Sequence, residues 1–206
     1  MYLTSDFSIE QLLRVQFPVL GRSVAVDHHQ ALYAAISRLA PELHELDGFA
    51  FSPIIGGVAD GKRMTLDKRS KLYIQVPTSH WGKVIGLAGK QLTLLGDPVR
   101  LGVPQIRPMI PSKTLISRFV TVKNAVTEDA IVEKVVEQLE AMGVETKRVV
   151  VDVLRRRVIE IHGRRIVGWG IRLDGLTERD SLTVQINGIG GRRRYGSGFF
   201  LPVREG

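Results

Sequence analysis

Three prolines, Pro104, Pro108 and Pro111, fall within eight residues near the middle of the chain and divide its 206 residues into two halves of similar length. Proline has no backbone N–H to give to a sheet and restricts the residue before it, so such a segment is typical of a linker. A half of about 100 residues is large enough to form its own core. We therefore expect an N-terminal domain of residues 1–111 and a C-terminal domain of residues 112–206.

Both halves have the same predicted order of elements, β-α-β-β-α-β, from the alternation or helical spacing of their apolar residues. The first half has predicted strands at 14–20, 49–55, 71–76, 91–95 and 99–101, helices at 28–39 and 80–87, and a loop at 60–67. The second half has predicted strands at 115–123, 148–153, 158–161, 166–173 and 199–203, and helices at 128–142 and 180–186, with basic turns between its strands. Asp27 is the expected N-cap of the first helix. This order predicts an α+β fold of two tandem ferredoxin-like (RRM-like) domains with a C-terminal glycine-rich loop.

The charge of the chain is concentrated in its second half. The net charge is +8, yet residues 124–146 sum to −5 and residues 147–204 to +8. Arginine dominates the basic stretch, and its planar guanidinium binds phosphate as a two-pronged donor. The clusters 155–157 and 164–165 are explained equally well as turn or strand-face charges. We expect an anionic partner, with Arg155, Arg156 and Arg157 among its contacts.

Cysteine is absent, which excludes disulfides, thiol catalysis, iron–sulfur clusters and cysteine zinc sites. No apolar run approaches the length of a membrane span. Residues 1–11 carry Asp6 and Glu10 and no basic residue, unlike a targeting signal. These features predict a cytoplasmic protein that does not associate with membranes.

Residues 188–198 form a segment in which five of eleven residues are glycine, with three arginines and a tyrosine between the glycines. Glycine permits positive φ and lets a ligand approach the backbone closely. The arginines add donors for phosphate, and the tyrosine adds a stacking surface for a base. A P-loop is excluded because Ser197 stands where its lysine is needed and no helix can follow. The expected RNA contacts are Gly188, Gly190, Gly191, Arg192, Arg193, Arg194, Tyr195, Gly196 and Gly198.

The pattern G-φ-G-x5-G-φ-G at 188–198, followed by FFLP at 199–202, resembles the C-terminal glycine-rich loop of the Cas six family of CRISPR repeat-processing endoribonucleases. The chain is most similar to the short subgroup of that family. Ser197 departs from the pattern, because the family prefers an apolar residue there, but a small residue should still fit. The resemblance implies cleavage of CRISPR precursor RNA within its repeats, without metal or other cofactor. It also implies that the protein can stay on the mature guide RNA beside other effector-complex subunits.

Cleaving RNA without metal requires a base for the 2′-hydroxyl, an acid for the leaving 5′-oxygen and cations for the charge on phosphorus. His28 and His29 lie in the first turn of the first predicted helix, where the helix dipole attracts phosphate and lowers a histidine pKa. The family that the chain resembles commonly has its catalytic histidine near the start of this helix. His28 follows Asp27 as in the short subgroup, whereas His29 fits the H-x-A-L spacing of other members. The choice stays open and favours His28. The alternatives are that one histidine only orients the other, or that both are exposed cap residues.

Other candidates support this pair. Tyr33 and Lys71 are expected to assist the transition state, with Arg69 and Lys68 nearby in sequence, although the stretch 68–71 is equally well explained as a stripe of RNA contacts. His44, His80 and His162 are expected to be structural or superficial, and no pair among them has helical metal-ligand spacing.

The leading hypothesis is an endoribonuclease that leaves a 2′,3′-cyclic phosphate and a 5′-hydroxyl. The alternative is a non-catalytic subunit that holds the 3′ end of the guide RNA. A metal-dependent nuclease is disfavoured, because the sequence has no clustered carboxylates and histidines suited to Mg²⁺.

Overall fold

The computed structural model describes residues 12–203, without the side chain of His44. The first eleven residues, for which the sequence predicts no targeting signal, lie outside this range. The prediction for His44 also stays untested, because its side chain is not described. Within the range the chain has an α+β fold with two curled antiparallel sheets, one in each half, and a small third sheet.

The first half builds the larger sheet and the small one. Its strands are β1 (Leu12–Gly21), β2 (Ser23–Ala25), β3 (Ala50–Phe51), β4 (Val58–Asp60), β5 (Arg63–Thr65), β6 (Lys71–Pro77), β7 (Gln91–Leu94), β8 (Asp97–Leu101) and β9 (Gln105–Arg107). Its helices are α1 (His29–Leu39) and α2 (Trp81–Ile85), and short 3-10 turns occur at Pro41–Glu45 and Thr78–His80.

The second half builds the other sheet. Its strands are β10 (Leu115–Val120), β11 (Val150–Ile161), β12 (Arg164–Asp174) and β13 (Leu201–Pro202), and its helices are α3 (Glu128–Ala141) and α4 (Glu178–Asn187). Further 3-10 turns occur at Thr146–Arg148 and Arg193–Tyr195.

The two main sheets share one spatial order. In the first sheet the strands lie in the order β3-β6-β1-β8-β7, with β9 also pairing with β1. In the second sheet the order is β11-β12-β10-β13. In each half the first strand is therefore central: β1 lies between β6 and β8, and β10 lies between β12 and β13. The start of α1 and the segment after α4 meet at the junction of the halves, where Asp27 bonds to Glu160 and His29 bonds to Tyr195.

Each half has its own apolar core. Phe17, Leu32 and Phe51 are fully buried in the first core, where α1 covers the sheet. In the second core α3 presents a buried stripe, Ile131, Val135 and Leu139, with the spacing that the sequence predicts. The hydroxyl of Thr127 caps α3 by accepting the N–H of Ala130.

Several local predictions are wrong. The predicted strand 49–55 is only two residues long, Ala50–Phe51. The predicted loop 60–67 contains half of a β4–β5 hairpin, which pairs with β2 to form the small sheet. The predicted basic turn at 155–157 is the middle of one long strand, β11, whose pairing with β12 is irregular between Val153 and Arg156. The last strand is only two residues long, because Phe199 and Phe200 turn into the core before it begins.

The proline-rich segment 104–111 is more ordered than a linker. Its residues 105–107 form β9 and pair with residues 14–16 of β1. Met109 is buried in a small cluster with Leu12 and Ile186 of α4. The connection between the halves is thus held to both of them.

A buried arginine crosses the junction between the halves. Arg14 of β1 is 3% exposed, and its guanidinium donates to the side-chain oxygens of Gln185 at 3.0 Å and Gln75 at 3.3 Å. The same group lies 4.8 Å from the centre of the Phe199 ring. Burial, together with the nearby charge of Arg193, lowers the pKa of Arg14 to about 9. Arg14 therefore stays charged at neutral pH without a carboxylate partner among these contacts.

The carbonyl groups at the C-terminus of α4 explain how that charge is accommodated. Arg14 donates to the carbonyl of Gln185 at 3.4 Å, and Gln75 donates to that of Ile186 at 3.0 Å. Arg193 donates to the carbonyls of Ile186, at 3.1 Å, and Asn187. The negative end of a helix dipole attracts cations, so two arginines and an amide from separate parts of the chain satisfy the last turn of α4.

Replacing Arg14 should weaken the junction. We expect Arg14→Ala to lower the free energy of unfolding by about 2–4 kcal/mol, because it leaves buried oxygens without donors and opens a cavity beside Phe199. Urea denaturation would measure the loss. Arg22→Ala, an exposed arginine of the first half, is the matched control and should change stability by less than about 0.5 kcal/mol. Equal effects of the two substitutions would contradict the role given to Arg14.

Candidate active site and nucleic-acid interface

The start of α1 is held in place by both halves. The helix begins at His29 with His28 as its N-cap residue, and no side chain caps it. The expected cap by Asp27 is therefore wrong. The carboxylate of Asp27 instead accepts the backbone N–H of Glu160, in β11 of the other half, at 2.7 Å. This bond fixes the beginning of α1 against the second sheet.

His28 is fully engaged with the backbone. Its Nδ1 donates to the carbonyl of Ala25 at 2.8 Å, and its Nε2 accepts the N–H of Ile54 at 2.9 Å. The residue is 2% exposed. Both ring nitrogens are used, so His28 ties the end of β2 to the segment after β3 and has no nitrogen left for a substrate.

His29 has one nitrogen engaged. Its Nδ1 donates to the carbonyl of Tyr195 in the glycine-rich segment at 2.7 Å, and its ring lies 5.3 Å from the ring of Phe119. Within residues 12–203 no hydrogen bond is made by its Nε2. Because Nδ1 carries the proton, Nε2 of the neutral ring has a lone pair available to accept one.

Burial keeps both rings neutral. It lowers the pKa of His28 to about 4, and the neighbouring His29, whose ring stacks at 5.6 Å, adds to the effect. Burial likewise lowers the pKa of His29 to about 4; the carbonyl of Tyr195 opposes this shift, and the charge of Arg157 reinforces it. At neutral pH His29 is therefore a base in its proton-accepting form.

The glycine-rich segment is a closed loop packed on β10. Gly188, Gly190, Gly196 and Gly198 all have positive φ. A Cβ added at Gly198 would lie 2.1 Å from the carbonyl oxygen of Ile189, so the two ends of the loop meet too closely for any side chain.

β10 fixes this loop by backbone bonds. The N–H groups of Gly191 and Gly198 donate to the carbonyls of Thr121 and Phe119, at 2.9 and 2.8 Å. Ser197 is fully buried, and its hydroxyl accepts the N–H of Thr121 at 3.1 Å. The serine that departs from the expected pattern therefore has a defined structural partner.

The three loop arginines differ in direction. Arg192 and Arg194 are exposed, and Arg192 has a left-handed backbone, with φ of 60°. Arg193 turns inward to the end of α4, and burial lowers its pKa to about 10. The structure thus leaves two of the three free to contact phosphate.

The arginines of β11 form a second basic surface. Arg155 and Arg156 are exposed, and the guanidinium of Arg156 lies 5.8 Å from the centre of the Trp169 ring. Arg157 is half-buried, and burial, with Arg118 and Arg155 nearby, lowers its pKa. Its Nε is buried, and no hydrogen-bond partner for it lies among residues 12–203. Since its charge also acts on His29, Arg157 connects this surface to the histidine.

The structure separates some candidates from the site. Arg69 forms an exposed ion pair with Asp67 at 2.8 Å. Lys71 pairs through its backbone with Pro18 and Ile55, and no hydrogen bond among the described residues joins its side chain to His29. Tyr33 is half-buried one turn along α1, with its ring 4.7 Å from that of Tyr195.

Sequence reasoning did not place His162 or Gln30 in the site. His162, expected to be structural or superficial, bonds through Nε2 to the hydroxyl of Tyr195 at 3.0 Å, and its backbone N–H donates to the side-chain oxygen of Gln30 in α1 at 2.7 Å. One sequence feature could have indicated the role of His162: it precedes Gly163 in a tight hairpin turn, where Asn–Gly is the usual pair.

Two negative findings apply to residues 12–203. No group of three or more histidine, aspartate or glutamate side chains is arranged to hold a metal ion. None of the helices in this part is both long and apolar enough to cross a membrane.

Fold and site together define an α+β protein that presents a neutral histidine and free arginines beside a glycine-rich loop, a suitable arrangement for a polyanionic ligand. A family model described as Cas6 Crispr matches residues 13–205. The chain is 36% identical, over 187 residues, to the CRISPR-associated endonuclease Cas6 of Myxococcus xanthus, a match that covers 90% of this chain and 79% of that protein. The chain belongs to the Cas6 family, as its glycine-rich loop predicts.

Solved structures agree in fold. One described as a Cas6-related gene from Pyrococcus furiosus has a TM-score of 0.65 at 16% identity, covering 95% of this chain and all of that one. Thermus thermophilus Cse3, bound to an RNA representing a pre-cleavage complex, has a TM-score of 0.56 at 12% identity, covering 93% of this chain and 98% of that one.

The two buried histidines should make stability depend on pH. Their folded pKa values of about 4 lie below the unfolded value of about 6.5, so only the unfolded chain takes up protons between these pH values. Their stabilisation is complete above pH 6.5 and is lost as pH falls to 4, by on the order of 3 kcal/mol for each ring.

Urea denaturation at stepped pH measures this slope. The double variant His28→Gln/His29→Gln should show a shallower fall of unfolding free energy between pH 6.5 and 4. The same slope in both proteins would contradict the neutral buried state.

Proposed function

We propose that this chain is an endoribonuclease that cleaves CRISPR precursor RNA within its repeats, without a metal ion. The observation that carries the proposal is the state of His29, which is neutral, fixed through Nδ1 and free at Nε2. Membership of the Cas6 family supports the substrate class, because the Myxococcus relative is named as a CRISPR-associated endonuclease.

The chemistry follows from that nitrogen. Nε2 of His29 accepts the proton of a 2′-hydroxyl, whose oxygen forms a bond to phosphorus as the bond from phosphorus to the 5′-oxygen breaks. The leaving 5′-oxygen takes up a proton from water, and His29 returns its proton to the solvent, so the products carry a 2′,3′-cyclic phosphate and a 5′-hydroxyl. The charge of Arg157 lies close enough to act on the ring and stabilises the added negative charge on phosphate.

The exposed arginines of the loop and of β11 bind the RNA. Arg192 and Arg194 in the loop, with Arg155 and Arg156 on β11, are exposed and carry no carboxylate partner among the described ion pairs. Their contacts to phosphate hold the repeat by its backbone shape, the common mode for double-stranded RNA. Retention of the cleaved product, and its delivery to an effector complex, would use the same contacts.

The proposal extends to the architecture. Each half, bounded as residues 1–111 and 112–206, is a ferredoxin-like domain with a β-α-β-β-α-β core. The shared strand order of the two sheets supports this, with the first strand central in each.

His29→Ala should slow cleavage strongly. We expect the rate at saturating protein to fall by a factor of about 10²–10⁴, because the base for the 2′-hydroxyl is gone. The measurement is single-turnover cutting of a repeat RNA in EDTA, with RNA affinity measured separately.

His28→Ala is the matched comparison. It should lower the melting temperature more than His29→Ala does, since it leaves the N–H of Ile54 and the carbonyl of Ala25 without partners. A well-folded, inactive His28→Ala beside an active His29→Ala would reverse the assignment. Tight binding without any cutting by the native protein would indicate a non-catalytic RNA-holding subunit.

The salt dependence of binding should separate the loop arginines. The double variant Arg192→Ala/Arg194→Ala should flatten the slope of log affinity against log salt by about 1.5, because each lost phosphate contact removes about 0.7–0.9. Arg193→Ala is the control within the same loop, and it should leave the slope unchanged while lowering stability. A slope that responds only to Arg193 would contradict the directions seen in the structure.

A further inference from the structure

The turn between β11 and β12 is built from His162 and Gly163, both with positive φ, 50° and 72°. Positive φ is unfavourable for a histidine, and asparagine or glycine usually fills the position. The turn reaches across the junction to α1 and to the glycine-rich loop. The side chain of His162 therefore contacts residues of α1 and of the glycine-rich loop.

Gln30 fixes the protonation pattern of the His162 ring. The Oε1 of Gln30 accepts the backbone N–H of His162 at 2.7 Å, so its amide nitrogen is the group that faces Nδ1 of the ring, at 3.4 Å. An amide nitrogen only donates, so Nδ1 is the acceptor and the proton of the neutral ring lies on Nε2. Nε2 then donates to the hydroxyl oxygen of Tyr195 at 3.0 Å.

This bond directs the proton of the Tyr195 hydroxyl. Because its oxygen accepts from His162, the hydroxyl hydrogen must point to another acceptor. Burial and the nearby Tyr33 raise the pKa of Tyr195, against the opposing charges of Arg192 and Arg194, so the hydroxyl keeps its hydrogen at neutral pH. The carbonyl of the same residue holds His29. One residue, Tyr195, therefore carries both the hydroxyl donor and the carbonyl that holds the proposed base.

The stacking role expected from the sequence is less well supported. The ring of Tyr33 lies 4.7 Å from the ring of Tyr195, inclined at 43°, and the ring of His162 meets it edge-on at 6.1 Å. Two neighbours already contact the ring, whereas the hydroxyl, once its oxygen accepts from His162, still has its hydrogen to donate.

We propose that Tyr195 is a further catalytic residue, whose hydroxyl donates a hydrogen bond to a non-bridging oxygen of the scissile phosphate, and that His162 and Gln30 are positioning residues for that hydroxyl. This inference rests on the proposed function. No proton is transferred and no bond is made or broken by Tyr195. Its contribution is a pre-oriented donor that matches the negative charge growing on the phosphate oxygens.

The test is the single-turnover cleavage rate of a repeat RNA. Tyr195→Phe should cut at least 10-fold more slowly with RNA affinity within about twofold of the native value, because the lost donor acts in the transition state. His162→Asn keeps a residue that tolerates positive φ but withdraws the group that reaches Tyr195, and it should be intermediate. The double variant should be no slower than Tyr195→Phe, since His162 acts only through the hydroxyl.

A spectroscopic readout tests the positioning directly. In the native protein the ring nitrogens of His162 should give the ¹⁵N chemical-shift pattern of the Nε2–H tautomer. Gln30→Ala should shift the ring towards the other tautomer. His80→Asn is the control for the kinetic arm, since His80 bonds to Ser79 and should leave the rate unchanged.

The outcomes separate the two proposals. Native cutting with an inactive His29→Ala and a fully active Tyr195→Phe would overturn the role of Tyr195 alone. A weaker RNA affinity at an unchanged rate would assign Tyr195 to stacking instead. Additive losses in the double variant, or an Nδ1–H tautomer, would overturn the positioning by His162. A native protein that cuts no repeat RNA would overturn the proposed function, and with it the catalytic role of Tyr195.

Discussion

The C-terminal turn of α4 organises the rest of the molecule, because buried guanidinium groups from both halves converge on its carbonyls. Arg14 reaches it from β1 and Arg193 from the glycine-rich loop, and contacts with helix carbonyls and amide oxygens offset the cost of burying each. This arrangement docks the first sheet on the second. It also fixes the exit of the loop from α4, so the path of the loop depends on the same contacts.

The geometry of His29 is a consequence of that docking. The loop brings the carbonyl of Tyr195 to Nδ1, and the bond from Glu160 to Asp27 holds the start of α1 against β11. A ring held in this way loses little freedom when a substrate arrives, which is how a preorganised site lowers a barrier. The site is therefore produced by the junction and belongs to neither half alone.

Local patterns predict local structure well in this chain. The apolar stripe of α3, the central strands and the special backbone of the glycine-rich segment all follow from spacing and composition. The choice between His28 and His29 does not, because it depends on which ring nitrogens meet the carbonyl of Tyr195 and the N–H of Ile54. The inward turn of Arg193 and the contact of His162 with Tyr195 are likewise set by packing across the junction, which adjacent residues in sequence do not encode.

The bond between His29 and Tyr195 joins residues 166 positions apart. During synthesis the first half can fold while its histidine still lacks the carbonyl that selects its tautomer. The fixed orientation of the His29 ring therefore depends on the docking of the second sheet and on the packing of the loop against β10. A chain with only its first half folded would carry the proposed base without the contact that orients its ring.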